Sequence, residues 1–328
     1  MRRLLANVKL KSGEVMQVEH VTSPDALRDP SIRPFLGHKP DNYLYHIDCA
    51  VAGECDDLVT NFYIGLIEEE VVGNIMTVEA NGVGIFGHVH TRSDQRRKGI
   101  CTQIMQYQME EFCAREGRVL LLGTGYQSAA YHIYESFGFT DWKQGDPGHM
   151  RYDNPADPDF EARFFAHSAV KPVPARWKHW PLVSMLAHTP YPDVCLRSIL
   201  FQIWGVELLE GAYCKFMQEC NRNPDATAVV LESGTGAVVA CATRTPDPRW
   251  GGVVELLDIF HHPNFGRSEL LKLLEALPHT SKPTQCFVDP RDHEKVAALE
   301  RFGFRREAVI PRQFAVEHHW RDAWLLIR

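Results

Sequence analysis

No stretch of the sequence approaches the roughly 18 apolar residues that a membrane-spanning helix needs. The start, Met1-Arg2-Arg3-Leu4-Leu5-Ala6-Asn7, carries basic residues, but its apolar run is too short for the core of a secretory signal. No Cys-x-x-Cys occurs. The nine cysteines, at 49, 55, 101, 113, 195, 214, 220, 241 and 286, are scattered and odd in number. That pattern argues against a disulfide framework or a zinc knuckle and for free thiols in a reducing compartment. A basic surplus is lacking too: 35 Lys and Arg stand against 42 Asp and Glu, for a formal net charge of −7. A general binder of nucleic acid or of membrane surfaces is usually basic, so those classes drop out. The expectation is a soluble cytoplasmic protein. Its 328 residues, 45% of them hydrophobic and 23% charged, predict two domains with a core each and exclude disordered and fibrous classes.

The clearest compositional break is the turn-rich run Asp153-Asn154-Pro155-Ala156-Asp157-Pro158-Asp159, followed by Lys171-Pro172-Val173-Pro174. It places the domains at 1–155 and 156–328. In the first, strands are predicted over 58–67, 71–78 and 83–91, with a solvated turn at Glu68-Glu69-Glu70 and a hairpin at Asn81-Gly82. Simple alternation along the third strand sets Val83, Ile85 and Val89 on one face and Phe86, His88 and His90 on the other. From Gly99 the period becomes helical through Ile100, Ile104, Met105, Met109 and Phe112, and Arg115 and Gly117 end it. A short apolar strand over 119–122, a helix over 128–137 and a strand from Phe139 follow. Residues 30–57 read as a long connection. The second domain repeats this order with strands over 226–232, 238–243, 253–260 and 285–288 and helices over 268–277 and 292–301. It closes on Phe302-Gly303-Phe304, as the first closes on Phe137-Gly138-Phe139. Two copies of one α+β unit are expected, each too long for a solenoid repeat.

The most informative segment runs from Thr91 to Cys101, between a strand and a helix. Arg92, Arg96, Arg97 and Lys98 face one Asp94 there, at the end of a helix where anions belong. The arrangement makes sense if an anion, with a diphosphate the obvious choice, sits among these cations and the first-turn amides. Gly99 would let the backbone come close and small Cys101 would keep the turn open. A solvated basic loop is the plain alternative.

Strand, Arg-x-x-Gly-x-small, amphipathic helix, apolar strand and a helix with Tyr-x-x-x-Gly-Phe together resemble the GNAT superfamily of acyl-CoA-dependent N-acyltransferases. The first motif is matched by Arg96-Arg97-Lys98-Gly99-Ile100-Cys101, with Cys in the last small position and Ser93 where Pro often precedes the loop. The second is matched by Gln127, where Asn is commoner, with Ala130, Ile133, Tyr134, Gly138 and Phe139. The resemblance covers residues 58–142 and extends loosely beyond. It implies tandem domains, each a mixed, mostly antiparallel sheet flanked by helices. Acetyl-CoA is the implied cosubstrate. Arg96, Arg97, Lys98, Gly99, Ile100 and Cys101 would hold the pyrophosphate, and Val89, His90 and Thr91 on a splayed strand would hold the pantetheine and thioester. Gln127 and Ala130 would line the cofactor, and Tyr134 would protonate the departing thiolate. A phenol near pKa 10 can donate to a thiolate of similar basicity.

The base that takes the amine proton stays open among His88, His90, Glu79 and a chain of water. Cys101 has two readings, a thiol made acidic by the helix end and acting as nucleophile, or a small residue that fills its place; direct attack by the amine is the expectation. The second domain has no Arg-x-x-Gly-x-small after its third strand, and Leu299 stands in the place of Tyr134. It reads as a degenerate copy that shapes the cleft, with Trp177 and Trp180 as core or interface anchors. Phe35, His38, Tyr43, Tyr45 and His46 would lid the acceptor, and Glu54, Asp56 and Asp57 either attract a cationic amine or form a solvated loop. His261-His262 and His318-His319 have no ligand set at a known spacing, so no metal is expected. The expected function is transfer of an acetyl group from acetyl-CoA to a primary amine by direct attack in a ternary complex. The alternative is a non-catalytic acyl-CoA-binding sensor or protein-interaction module, and an ester- or thiol-forming acyltransferase is a third reading. No nucleic acid or membrane partner is expected.

Overall fold

The computed structural model describes residues 1–142, 148–189, 191, 210–316 and 319–328, so Cys195 and His318 lie outside the described residues. The chain divides into two compact units, Met1–Phe160 with Trp177–Pro181, and Glu161–Arg176 with Leu182–Arg328. None of the described helices is long and apolar enough to cross a membrane.

The first unit runs β1 (Arg2–Lys9), β2 (Val15–Thr22), α1 (Asp29–Phe35), α2 (Asp41–Ala52), β3 (Val59–Ile67), β4 (Glu70–Ala80), β5 (Val83–Thr91), α3 (Ile100–Ala114), β6 (Val119–Gly123), α4 (Ala129–Ser136), β7 (Thr140–Asp141) and β8 (His149–Asp153). One sheet takes all its strands in the order β1-β2-β3-β4-β5-β6-β8-β7. Among the described residues of this sheet only the β5–β6 pair is parallel; every other pair in it is antiparallel. The hairpins follow local chemistry. Asn81 (φ +51°) and Gly82 (φ +81°) are both left-handed, the conformation a two-residue hairpin turn requires. Glu68 and Glu69 do the same at +50° and +65° without a glycine.

The helix α3 covers one face of the sheet. Ile100, Ile104, Met105, Met109 and Phe112 bury there with Met16, Val18, Tyr63, Ile75, Phe86, Tyr131, Tyr134 and Phe139. Two glycines in the strands beneath let it come close. A Cβ on Gly73 would sit 2.7 Å from Ile100 Cγ2 and 2.8 Å from Ile104 Cδ1, and one on Gly65 would meet Met16 Sδ at 2.6 Å. The opposite face carries α1 and α2, which replace the expected connection over 30–57. Pro30 and Pro34 in α1, and the aromatic, histidine-rich sequence of α2, hide their period, although Ile47, Cys49 and Ala50 of α2 are buried. Trp177 and Trp180 are buried in this unit, their ring centroids 5.2 and 4.8 Å from that of His46.

The second unit comprises α5 (Phe160–Phe164, whose first residue belongs to the first unit), β9 (Val170–Pro174), α6 (Trp180–His188, begun in the first unit), α7 (Glu210–Arg222), β10 (Thr227–Ser233), β11 (Val238–Pro246), β12 (Glu255–His261), α8 (Arg267–Glu275), β13 (Thr284–Val288), α9 (His293–Arg301), β14 (Arg305–Val316) and β15 (His319–Ile327). Its sheet, β9-β10-β11-β12-β13-β15-β14, repeats β2 to β7 of the first strand for strand, with its single parallel pair again at β12–β13. The two units are therefore the expected tandem α+β folds. The repeated Phe-Gly-Phe has a local cause. Gly138 (φ +89°) and Gly303 (φ +103°) are left-handed after their helices, and the next amide closes back onto the helix, Phe139 N to Tyr134 O at 3.2 Å and Phe304 N to Leu299 O at 3.0 Å. Both Phe139 and Phe304 then turn into their cores.

Gly73→Ala is expected to lift α3 from the sheet and destabilise the protein by about 1–3 kcal/mol, as overpacking does. Thermal denaturation measures it, and an unchanged midpoint would show that Ile100 and Ile104 yield without cost.

Candidate active site

An irregularity in β5 sets the geometry. His90 pairs with Asn74 and Gly87 with Met76, so His88 and Val89 together stand opposite Ile75 alone. This is a β-bulge, with His88 left-handed at φ +51°. Parallel pairing to β6 stops before it, at Ile85 with Leu121, while β6 continues along β8 as far as Gly123 with His149. From Phe86 to Thr91 the β6-facing edge of β5 therefore lies beyond its parallel pairing. A Cβ built on Gly87 meets nothing within 4 Å, so the α1–α2 face of the strand is open at that point.

The extra residue also corrects the expected faces. Alternation is shifted by one, so Phe86 and Val89 both pack on the α3 side. His88 and His90 turn to the α1–α2 side. The His88 ring lies edge-on to Tyr43 at 4.9 Å, and His90 contacts Phe35 at 5.1 Å and His38 at 4.2 Å. Burial pushes the pKa of His88 down to about 3, with His46, Lys39 and His38 adding to it. That of His90 falls to about 4 by desolvation and then by His38, Lys39 and Arg96. Both rings are neutral at pH 7.

After β5 the chain reaches α3 through Arg96, in extended backbone, and two left-handed residues, Arg97 (φ +65°) and Gly99 (φ +88°). Left-handed residues at such a place form concavities of backbone N–H groups that suit anions. Gly99 is the N-cap of α3 with no side-chain cap, and the first turn of the helix has no acidic residue. Of the four cations, Arg92 is paired with Glu70 and Asp94 at 2.8 Å each, and Lys98 with Glu14 at 2.5 Å and Gln95 at 2.7 Å. Arg96 donates to the Thr91 carbonyl at 3.3 Å. Neither Arg96 nor Arg97 has a carboxylate partner among the described residues. The side chain of Ile100 is buried in the core, and its backbone N–H, in the first turn of α3, has no intrahelical partner. Cys101 is no thiolate: burial pushes its thiol up to about 11, which removes the reading as an acidic nucleophile.

On the far side of the opening, α4 starts at Ser128, whose hydroxyl accepts from Tyr131 N at 3.1 Å. Gln127, just before it, is exposed and left-handed at φ +56°. Ala130 packs against the α3-side cluster. Tyr134 is buried, with its ring edge-on to Phe86 at 5.3 Å, and so meets β5 where the strand leaves β6. Val89, the start of α3 and Tyr134 are thus gathered around one opening, and His88 and His90 stand on the other face of the same strand. Glu79 is not brought to it. It pairs with Gly84 near the start of β5, and its carboxylate is taken up by Arg115 at 2.8 and 3.0 Å, Thr77 at 2.6 Å and Asn61 at 3.2 Å. Asp56 is likewise engaged, accepting from Trp177 N at 3.1 Å.

Sequence reasoning missed Asn74. Its Nδ2 donates to the bulge carbonyl of His88 at 3.1 Å, and its Oδ1 is buried without a partner. An Asn within the mostly apolar run Val71 to Met76 was the available signal.

The second unit differs at each of these points. The β11–β12 register runs evenly from Ala240 with His261 to Pro246 with Glu255, with no bulge. The positive end of α8 is already filled by the protein's own carboxylates: Glu269 accepts from Gly266 N at 3.2 Å and Glu294 from Arg267 N at 2.8 Å. In the space that corresponds to the opening, His261 holds Asp292 at 3.3 Å and the Tyr191 hydroxyl at 3.0 Å, and Lys295 is buried. A cavity of about 620 Å³ does exist in this unit, but Leu274, Pro283, Phe302 and Ile327 place it at the opposite end of the sheet from the start of α8.

Residues 59–141, which span β3 through β7, match the model of an acetyltransferase (GNAT) domain. The chain has no match among curated proteins. Among solved structures it is similar to an acetyltransferase of the GNAT family from Streptococcus pneumoniae, with 16% identity over 49% of this chain and 98% of that one and a TM-score of 0.39. A GNAT superfamily phosphinothricin acetyltransferase from Sinorhizobium meliloti, in complex with acetyl-CoA, gives 13% identity over 48% and 87% with a TM-score of 0.40. A ribosomal-protein-alanine N-acetyltransferase from Brucella melitensis gives 16% over 48% and 98% with a TM-score of 0.38.

The depressed histidines make stability depend on pH. His46 is fully buried and its pKa is lowered to about 3 by desolvation. The unfolded chain, near 6.5, takes up the proton first, so the contribution is complete above 6.5 and is lost as pH falls toward the folded value. Each such histidine is expected to remove up to about 1.4 kcal/mol per pH unit in that window. The melting temperature of the wild type should drop between pH 6.5 and 4.5, and less steeply for His46→Gln. Parallel curves would show that the ring does not stay neutral in the fold.

Proposed function

We propose that the first unit, which carries the acetyltransferase (GNAT) domain, moves an acetyl group from the coenzyme A thioester to a primary amine by direct attack. The observation that carries this reading is the opening beside β5, with two arginines free of carboxylates at the start of α3 on one side and a buried tyrosine at the parting of the strands on the other. The residues present fit the cosubstrate. Arg96, Arg97 and the N–H groups of Gly99, Ile100 and Cys101 would hold the pyrophosphate, with Lys98 joining once it leaves Glu14. Val89, His90 and Thr91 offer the strand edge for the pantetheine arm, and Gln127 and Ala130 border it from α4. The bound thioester supplies an activated acyl carbon and a thiolate leaving group.

The nitrogen lone pair forms the new C–N bond as the C–S bond breaks. Tyr134 gives its phenolic proton to the sulfur, and the nitrogen loses one proton. Backbone N–H groups at the bulge are the donors available to the developing oxyanion. His88 and His90, with conjugate acids near 3 and 4, are too weak to strip an ammonium ion at the outset. They accept a proton once bond formation has made the nitrogen acidic. The protonated thiol of Cys101 supports direct attack over an acyl-cysteine. The second unit, without bulge, tyrosine or open helix end, is read as a non-catalytic copy, so one acetyl-CoA binds per chain.

Coenzyme A release with a panel of amines tests the proposal. Tyr134→Phe is expected to lower kcat about a hundredfold with little change in the KM for acetyl-CoA, a loss typical of a general acid. Arg96→Ala and Arg97→Ala should each weaken acetyl-CoA binding about tenfold, read by calorimetry, in keeping with one lost charge-assisted hydrogen bond. Binding without turnover for every amine would favour an acyl-CoA sensor instead.

A further inference from the structure

Two polar atoms at the bulge are buried and have no partner, Asn74 Oδ1 and His88 Nε2. Leaving such atoms unpaired is costly, so their place in the fold calls for an occupant. Both lie on the α1–α2 face: Asn74 precedes Ile75 of the α3-side cluster and so turns the other way, and His88 packs on Tyr43. The amide orientation is not arbitrary. The carbonyl of His88 can only accept, so the atom 3.1 Å from it is Nδ2, and Oδ1 is the free end. The neutral imidazole of His88 accepts through Nε2 when its proton sits on Nδ1. In that tautomer the bulge presents two uncharged acceptors on one face.

The charged groups that act on them are cations. The groups that act on the His88 and His90 rings are His38, Lys39, His46 and Arg96, and no carboxylate is among them in the described residues. Lys39, on the connection between α1 and α2, is itself partly desolvated and its pKa is lowered for that reason. An ammonium ion would meet Lys39 and Arg96 without a compensating anion among these groups, whereas a free amine brings the N–H donors that two neutral acceptors need.

Resting on the proposed acetyl transfer, we propose that Asn74 Oδ1 and His88 Nε2 receive the acceptor nitrogen as its free base, and that the acceptor is a small, weakly basic primary amine. Arylamines, hydrazines and α-amino amides belong to this class. Polyamines and lysine side chains do not. Selection of the free base removes the need for a strong base in the site, which Glu79, His88 and His90 do not supply. Asn74 is then a binding residue whose Nδ2 contact fixes the bulge and whose Oδ1 meets the substrate.

The test is coenzyme A release at pH 7 with primary amines running from arylamines through α-amino amides near pKa 8 to alkylamines near pKa 10.4. Expressed on total amine, kcat/KM is expected to fall about tenfold for each unit by which the amine pKa exceeds 8. Calorimetric titration of an α-amino amide into the protein saturated with coenzyme A gives a second readout. Its Kd, expressed on the free base, should stay constant from pH 6.5 to 9. Asn74→Asp keeps the shape but replaces a donor and a neutral acceptor with an anion. It should lose at least tenfold in kcat/KM for the α-amino amide, leave the KM for acetyl-CoA in place, and shift preference toward alkylamines. Asn74→Ala should show the loss without the shift, and melting temperatures establish that both fold. A wild type that favours alkylamines at pH 7, or a Kd constant only on the ammonium form, overturns the proposal. So does calorimetry that detects no amine, which would leave water as the occupant. If no amine turns over yet the titration gives the predicted free-base dependence, the acetyl-transfer reading fails and the binding site stands.

Discussion

One inserted residue in β5 is the constraint on which the first unit's site depends. A regular strand would alternate through Thr91 and keep its side chains in phase with β4. With His88 and Val89 set against Ile75, the strand bends after its parallel pairing with β6 has ended. Val89 goes to the α3 side, His88 and His90 go to the α1–α2 side, and an edge opens between β5 and β6. Asn74 stabilises the distortion by holding the His88 carbonyl. The left-handed backbone of His88 is strained for a residue with a Cβ, and it persists where surrounding packing over-determines it.

The two units show what that residue and the loop after it change, because they share seven strands in one order. Strand order, the single parallel pair and the helix-ending Phe-Gly-Phe are the same in both. In the first, the positive end of α3 has no acidic cap and Arg96 and Arg97 stand beside it. In the second, Glu269 and Glu294 satisfy the corresponding amides. A helix end that binds its own carboxylates has no further need of an external anion. Each unit is internally consistent, and the difference between them supports the division into a proposed catalytic domain and a non-catalytic copy.

The fold was legible where local physics was strong. The Asn81-Gly82 turn, the apolar face of α3 and the glycines after α4 and α9 lie where their chemistry puts them. Among the elements that escaped, three have a masked period: the exposed edge strand β1, the proline-bearing α1 and the aromatic α2. Charge was legible only as a sum. Four cations near α3 are plain in the sequence, but which of them are already paired depends on Glu14, in the turn between β1 and β2, and Glu70, at the start of β4. Glu79 looked as available as the histidines until Arg115, a long way on in sequence, closed over it.

The amino-acid sequence by itself determined the α+β class, the repetition of one unit, and the loop and tyrosine motifs, because these rest on short-range periodicity and on residues with special backbone freedom. The tertiary structure alone decided which face of β5 each side chain takes, that both histidines are held neutral, and that Asn74 belongs to the site. Those outcomes follow from strand register and desolvation, and both arise only when residues far apart in the chain are packed together.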